Sequence, residues 1–204
     1  MFLTSFGIFL YVSNDDSVLF CERPFSIQFI DMFNSKCPIH KVVKYVSMCT
    51  DVERDLLKSQ DINKIYRLAF FNRDKQTVLK RYKKIKSKIE IGLTAKRIPP
   101  QSLLTFPRGR QIRGETPREC AEREFYEETL IDPSCLTPID HQPFVQIFTG
   151  SDSKVYRYIL YPYKVDSITI TNSDKCLSLE TKRNVLISRK NLGQDLQNYL
   201  NGIM

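Results

Sequence analysis

The sequence predicts an α/β fold whose core is interrupted by a helical insert. Runs of aromatic and β-branched residues, bounded by polar turns or prolines, occur towards both ends of the chain, as strands require. From about residue 24 to residue 98 the apolar spacing changes to three, four or five, as helices require. The chain has 204 residues and is 42% hydrophobic, enough for one domain with a sizeable insert and too apolar for a disordered chain.

Taken in order, Phe2–Val12 and Ser17–Glu22 read as two strands joined by a turn at Asn14, Asp15 and Asp16. Arg23-Pro24 breaks the second. In the insert, Leu56, Leu57, Ile62, Ile65, Leu68 and Ala69 recur at helical spacing, and Val78, Leu79, Tyr82, Ile85 and Ile89 do so again. Pro99-Pro100 closes this region. Residues 103–106 form a short strand stopped by Pro107 and Gly109. Residues 143–148 and 154–165 read as a hairpin across 150–153, residues 185–188 as a last strand, and 192–200 as a closing helix. The organisation is therefore 1–23 as the first strands of the core, 24–98 as the insert, and 99–204 as the rest of the core.

Six cysteines, at 21, 37, 49, 120, 135 and 176, show no C-x-x-C pair, so zinc-ligand spacing is absent and buried free thiols in a reducing compartment are expected. The apolar N-terminus lacks the basic region and small-residue cleavage site of a signal peptide and is too short to span a bilayer. The expected location is intracellular, with no membrane partner, and the two histidines, His40 and His141, need no catalytic role. The net charge of +8 is concentrated. Residues 73–97 hold ten Lys/Arg against Asp74 and Glu90, and the remainder is balanced at 21 basic and 21 acidic residues. Such a focus suits a polyanion. Arg81, Lys84 and Lys88 fall on one helical stripe with Lys80, Lys83 and Lys86 nearby, and these six are the candidate RNA-binding residues.

Residues 109–131 read GRQIRGETPRECAEREFYEETLI. Thr116 can cap a helix, Pro117 suits its first position, and Glu119 completes a capping box, so a helix over 117–129 is predicted. Ala121 and Phe125 can pack on a sheet. Glu124, Glu127 and Glu128 stand at i, i+3 and i+4 and are expected to share a face. Like charges at these spacings repel. A divalent cation relieves that repulsion, and hard oxygen donors from one turn suit Mg²⁺ or Mn²⁺.

The spacing extends upstream. Gly109, Glu115, Arg123, Glu124, Phe125, Glu127, Glu128 and Ile131 match G-x5-E-x7-R-E-U-x-E-E-x-G-U, where U is bulky and apolar. The chain thus resembles the Nudix hydrolases. One position departs: Leu130 stands where the last glycine belongs, so the helix is expected to stop by another route, helped by Pro133. The resemblance implies an α/β/α sandwich with a mixed sheet, and cleavage of a nucleoside diphosphate linked to another moiety. It implies that Glu124, Glu127 and Glu128 hold the metals, that Glu115 pairs with Arg123, and that Gly109 lets the backbone approach closely. Glu127 or a loop glutamate such as Glu180 would be the base.

The insert's position, with Arg23, Ser26, Phe29 and Phe33 after the first hairpin and Pro107-Arg108-Gly109-Arg110 before the box, resembles the mRNA-decapping Nudix enzymes of large DNA viruses. A baculovirus group described as ADP-ribose pyrophosphatases is also similar. The first resemblance implies a viral protein of the host cytoplasm acting on capped RNA. The second implies a small nucleotide-sugar substrate. All three carboxylates implied to hold the metals are present, which argues against a non-catalytic binding module. Among the 23 Phe and Tyr, no cap-stacking pair is singled out.

Overall fold

In the computed structural model the described residues are 2–35, 37–100, 102–150, 154–170 and 181–204. The chain divides into two compact units, Met1–Arg23 with Leu104–Met204, and Pro24–Leu103. The second boundary lies at 103/104 and not at 98/99. Past the last helix of the insert the chain still belongs to that unit, where Ile98 N–H donates to Ser47 O at 3.0 Å.

The larger unit is built on β1 (Phe2–Val12). Its residues Ile8 to Val12 are buried on both faces, as a central strand requires. β1 pairs antiparallel with β2 (Ser17–Glu22), joined by the predicted turn, in which the Tyr11 hydroxyl donates to Asp16 Oδ1 at 2.9 Å. β3 (Leu104–Thr105) and β8 (Arg183–Ser188) pair with β2, and β4 (Arg108–Gly109) pairs with β1. On its other edge β1 runs parallel to β7 (Val155–Val165), which in turn pairs antiparallel with β5 (Thr137–Pro138) and β6 (Phe144–Thr149). One parallel pair among antiparallel ones makes the sheet mixed. The predicted turn positions 151–153 lie outside the described residues.

Strand alternation sorts the core into two layers. Ile8, Leu10 and Leu19 face Ala121 and Phe125 of α6 (Pro117–Thr129). Phe9, Tyr11, Val18 and Phe20 cluster with Leu192 and with Leu200 of α7 (Gln194–Ile203). Helices on both faces of a mixed sheet give the expected α/β/α arrangement.

The smaller unit is helical: α1 (Ile27–Met32), α2 (Val42–Ser47), α3 (Asp51–Lys58), α4 (Ile62–Ile65), a π-helical turn at Tyr66–Phe70, and α5 (Lys75–Thr94). Its core is aromatic, with Phe29, Phe33, Phe70 and Tyr82 packed ring on ring. α5 ends with Ala95 in extended backbone, before the two prolines. Among the described residues no helix is long and apolar enough to cross a membrane. Of the described cysteines, Cys21, Cys49 and Cys120 are buried free thiols as expected, while Cys37 is half-buried and Cys135 is exposed.

Two expectations need correction. Arg81 is not part of a cationic surface. It is 6% exposed, and its guanidinium donates to Met32 O at 2.9 Å and Cys37 O at 2.7 Å. Arg81 lies three residues after Val78 and four before Ile85, on the helix's apolar face, so its charge serves a carbonyl at the end of α1 and another in the chain that follows it. Lys80, Lys83, Lys84 and Lys86 are exposed and Lys88 is half-buried.

Leu130 is the second. The helix does not stop by another route. Leu130 itself adopts the left-handed conformation, φ 59° and ψ 18°, with its N–H on Tyr126 O. A side chain there costs about 1–2 kcal/mol, and Leu130 is 55% exposed, so packing returns little. Leu130→Gly is therefore expected to stabilise the protein by about 0.5–1 kcal/mol, after the greater chain entropy of glycine is allowed for. A urea titration showing destabilisation would refute this.

Candidate active site

The loop from β4 to α6 and the first three turns of α6 form one hydrogen-bonded assembly. Thr116 Oγ1 accepts from Glu119 N–H at 3.2 Å, and the Glu119 carboxylate accepts from Thr116 N–H at 2.6 Å, closing the capping box. Arg123 is the hub. Its Nε donates to Glu115 Oε2 at 3.0 Å and its Nη2 to Glu115 Oε1 at 2.9 Å, a forked pair. Its Nη2 also reaches Arg110 O at 3.1 Å, and its Nη1 reaches Glu124 Oε1 at 2.8 Å and Glu127 Oε2 at 3.3 Å. Glu115 accepts from Ile112 N–H at 2.7 Å as well. The loop is thus fastened to the helix by one guanidinium.

The hydrogen bonds from Arg123 hold the Glu115 carboxyl down at about 2, against an ordinary 4.5. A depressed carboxylate contributes stability that is complete above its unfolded value and disappears as pH falls towards the folded one. Part of the wild type's stability should therefore vanish between about pH 4.5 and pH 2. Glu115→Gln should lack that segment of the profile. Parallel wild-type and variant curves of unfolding free energy over this window would contradict the pairing.

Gly109 belongs to this assembly for a steric reason. A Cβ built there would fall 1.9 Å from Glu124 Cδ and 2.1 Å from both carboxylate oxygens. The missing side chain is the space that Glu124 occupies. At Gly7, paired with Arg108 across the sheet, a Cβ would meet Pro107 O at 2.2 Å. These two glycines let β4 lie close to β1 and α6 close to β4.

Glu124, Glu127 and Glu128 differ in exposure. The Glu124 side chain is 17% exposed and that of Glu127 is 55% exposed, whereas Glu128 as a residue is only 8% exposed. The reason was present in the spacing. Ala121, Phe125 and Glu128 stand at i, i+4 and i+7, so Glu128 lies on the sheet side of the helix. Among the described residues, no three His, Cys, Asp or Glu side chains converge to hold a metal as they stand, and Arg123 draws Glu124 and Glu127 to itself. The donor chemistry nevertheless fits a hard divalent cation: three carboxylates on one rigid helix, and a side-chain-free backbone against one of them. Glu124, Glu127 and Glu128 are the residues that would hold it. Glu180 lies outside the described residues.

A cavity of about 420 Å³ opens beside Glu124. It is lined by Ser5, Arg23, Arg108, Gly109, Arg110, Glu124, Tyr156 and Tyr158. Behind the tyrosines, Phe148 stacks on Tyr156 at 5.5 Å and meets Tyr158 edge-on at 4.9 Å. Three arginines, two tyrosines and a carboxylate suit an anionic ligand carrying a ring. In the sequence, Arg108 and Arg110 carry only a resemblance, and nothing there singles out Tyr156 and Tyr158. Alternation along β7 puts both tyrosines on one face, but only the pairing with β1 brings them to Ser5 and Arg108. His141 lies apart, edge-on to Tyr199.

A sheet between helices, with an arginine-fastened glutamate helix at a cationic cavity, suits chemistry on phosphate anhydrides. The NUDIX domain family model matches residues 70–187, more than half of the chain, and the chain belongs to the Nudix family. It is accordingly a hydrolase of nucleoside diphosphates linked to another moiety, in a family that uses divalent cations. A NUDIX hydrolase from Nitrosomonas europaea is similar at a TM-score of 0.46 and 14% identity, over 100% of this chain and 91% of that one. No curated protein matches.

Proposed function

We propose that this protein removes the 5′ cap of mRNA, adding water across the cap's phosphate anhydride to release methylated GDP and 5′-monophosphate RNA. The observation that supports this is the charge on α5. The chain's entire basic surplus lies in residues 73–97, and Lys80, Lys83, Lys84 and Lys86 remain exposed after Arg81 is buried. Phosphate contacts beyond the cap give affinity without sequence preference, and a free nucleotide has no use for them. The position of the insert and the residues Arg23, Ser26, Phe29 and Phe33 resemble viral decapping enzymes, in keeping with a viral protein of the host cytoplasm.

Bound Mg²⁺ or Mn²⁺ would neutralise phosphate charge and lower the pKa of a water. The chain's own contribution is positional: Glu115 and Arg123 fasten the loop, Gly109 leaves room for Glu124, and the cavity takes the nucleotide. Glu127, the most exposed box carboxylate, or Glu180 takes the proton.

A second reading is hydrolysis of ADP-ribose or a related dinucleotide. The cavity favours it, because its rings and arginines alone could bind a nucleotide without an RNA tail.

Changing Lys80, Lys83, Lys84 and Lys86 together to Gln separates the two. Glutamine keeps the helix propensity. Binding of capped RNA should weaken, with the salt slope reduced by about 0.7 for each lost contact to single-stranded RNA. Turnover of a free cap dinucleotide and of ADP-ribose should change little. Unaltered binding and hydrolysis of capped RNA at moderate salt would overturn decapping in favour of the small substrate.

A further inference from the structure

The end of α6 that carries Glu128 is tied to the sheet by a residue outside the box. Asn184, on β8, is 7% exposed. Its Nδ2 donates to Thr129 O at 2.9 Å, and its Oδ1 accepts from Cys21 Sγ at 3.8 Å. Asn184 stands opposite Cys21 in the pairing of β8 with β2, so both side chains leave the sheet towards α6, as those of Leu19 and Leu186 do two residues away. The two partners fix the amide's orientation, because a thiol needs an acceptor and a carbonyl needs a donor. Cys21 keeps its proton to give: burial first, and then the negative charge of Glu128, push its thiol up to about 12. The Glu128 carboxylate is thus close enough to be felt at this buried polar group.

Thr129 O is one of the last carbonyls of the helix, which have no partner further along it. Earlier carbonyls are met locally, Phe125 O by Thr129 Oγ1 at 2.6 Å and Tyr126 O by Leu130 N–H at 2.8 Å. Thr129 O is met from a strand 55 positions away. It stands between Glu128 and Leu130, whose left-handed backbone leucine disfavours. The helix end is therefore weak on local grounds at the point where a buried carboxylate has to be placed. We propose that Asn184 is a positioning residue: through its hydrogen bond to Thr129 O it fixes the last turn of α6 on the sheet, and with it the place of the Glu128 carboxylate as a ligand for a divalent cation. A small hard cation tolerates little misplacement of its donors, and loss of a group that orients a ligand costs about 10–100-fold in metal affinity. This inference rests on the assignment of Glu128 to the cation and is independent of whether capped RNA is the substrate.

The test is Mn²⁺ binding to the full chain without nucleotide, read by electron paramagnetic resonance of the free ion, with urea unfolding of each variant alongside. Asn184→Leu keeps nearly the size of the side chain and removes the donor. It should weaken Mn²⁺ binding by about tenfold or more. Asn184→Ala removes the same donor without setting a new methyl group against the helix, and should show the same loss. Glu128→Gln should weaken Mn²⁺ binding too. The double variant Asn184→Leu/Glu128→Gln should bind no more weakly than Glu128→Gln, the non-additivity of a residue acting through another. Leu130→Gly added to Asn184→Leu should raise the urea midpoint and leave the Mn²⁺ affinity low, which a residue that only stabilises the fold would not do. The proposal is overturned if either folded Asn184 variant binds Mn²⁺ as wild type, if the two losses multiply, or if Leu130→Gly restores affinity together with stability. Wild-type affinity in Glu128→Gln would remove the cation assignment of Glu128 and this role of Asn184 with it. A weakened Glu128→Gln beside unchanged Asn184 variants would remove the role of Asn184 alone.

Discussion

Glu124→Gln is expected to abolish hydrolysis of every substrate the protein accepts while leaving it folded. Among the box acids, Glu124 alone both lines the cavity and fills the space left open at Gly109. The amide is nearly isosteric but is a far poorer ligand for a hard cation. The loss should exceed the roughly 10–100-fold that follows removal of a partner one shell out from a metal. Gly109→Ala should reproduce it by a different route. The new Cβ collides with the end of a flexible side chain and not with backbone, so the carboxylate moves away while the sheet stays. Both variants should unfold within a few degrees of wild type, since Arg123 retains Glu115. Turnover within threefold of wild type in Mg²⁺ or Mn²⁺, for either variant, would remove Glu124 from the site.

The largest effect on stability is expected at a residue with no part in the chemistry. Glu53 is 1% exposed. Its carboxylate accepts from Ser26 N–H, from Ser26 Oγ at 3.0 Å and from Thr50 N–H at 2.8 Å. Ser26 caps α1 and Thr50 caps α3, so one buried side chain joins two helix starts in the smaller unit. Glu53→Ala would leave the buried Ser26 N–H and the half-buried Thr50 N–H without this acceptor, at about 1–3 kcal/mol each. A total near 3–5 kcal/mol is a large part of the stability of a typical domain, about 5–15 kcal/mol. The urea midpoint should fall accordingly. Asp55→Ala, two residues on and paired with Lys58 at the surface, should cost less than about 0.5 kcal/mol. Similar midpoints for the two variants would show that Glu53 does not organise the unit.

Local patterns were legible because neighbours encode them. The cap at Thr116, the 117–129 helix and the first two strands depend on residues within a few positions of one another, and all stand where the sequence places them. The box spacing is equally local, and it sufficed to identify the chemistry. Where reading failed, charge was weighed above periodicity. Arg81 was assigned to the cationic stripe by its charge, although it stands on the apolar face of its helix. At Leu130 residue type misled in the other direction: the surrounding structure imposes a backbone conformation that leucine disfavours.

The sequence by itself determined the alternation of strands and helices, the capped glutamate helix, the concentration of positive charge and the class of reaction. Tertiary structure alone decided which of these groups meet. Ser5, Arg108, Glu124 and Tyr158 come from three strands and a helix separated by up to 153 positions, and they line one cavity because β1 pairs with β4 on one edge and runs parallel to β7 on the other. Strand register is set by the burial of two whole faces at once. That is a property of the assembled sheet, which no local window of sequence contains.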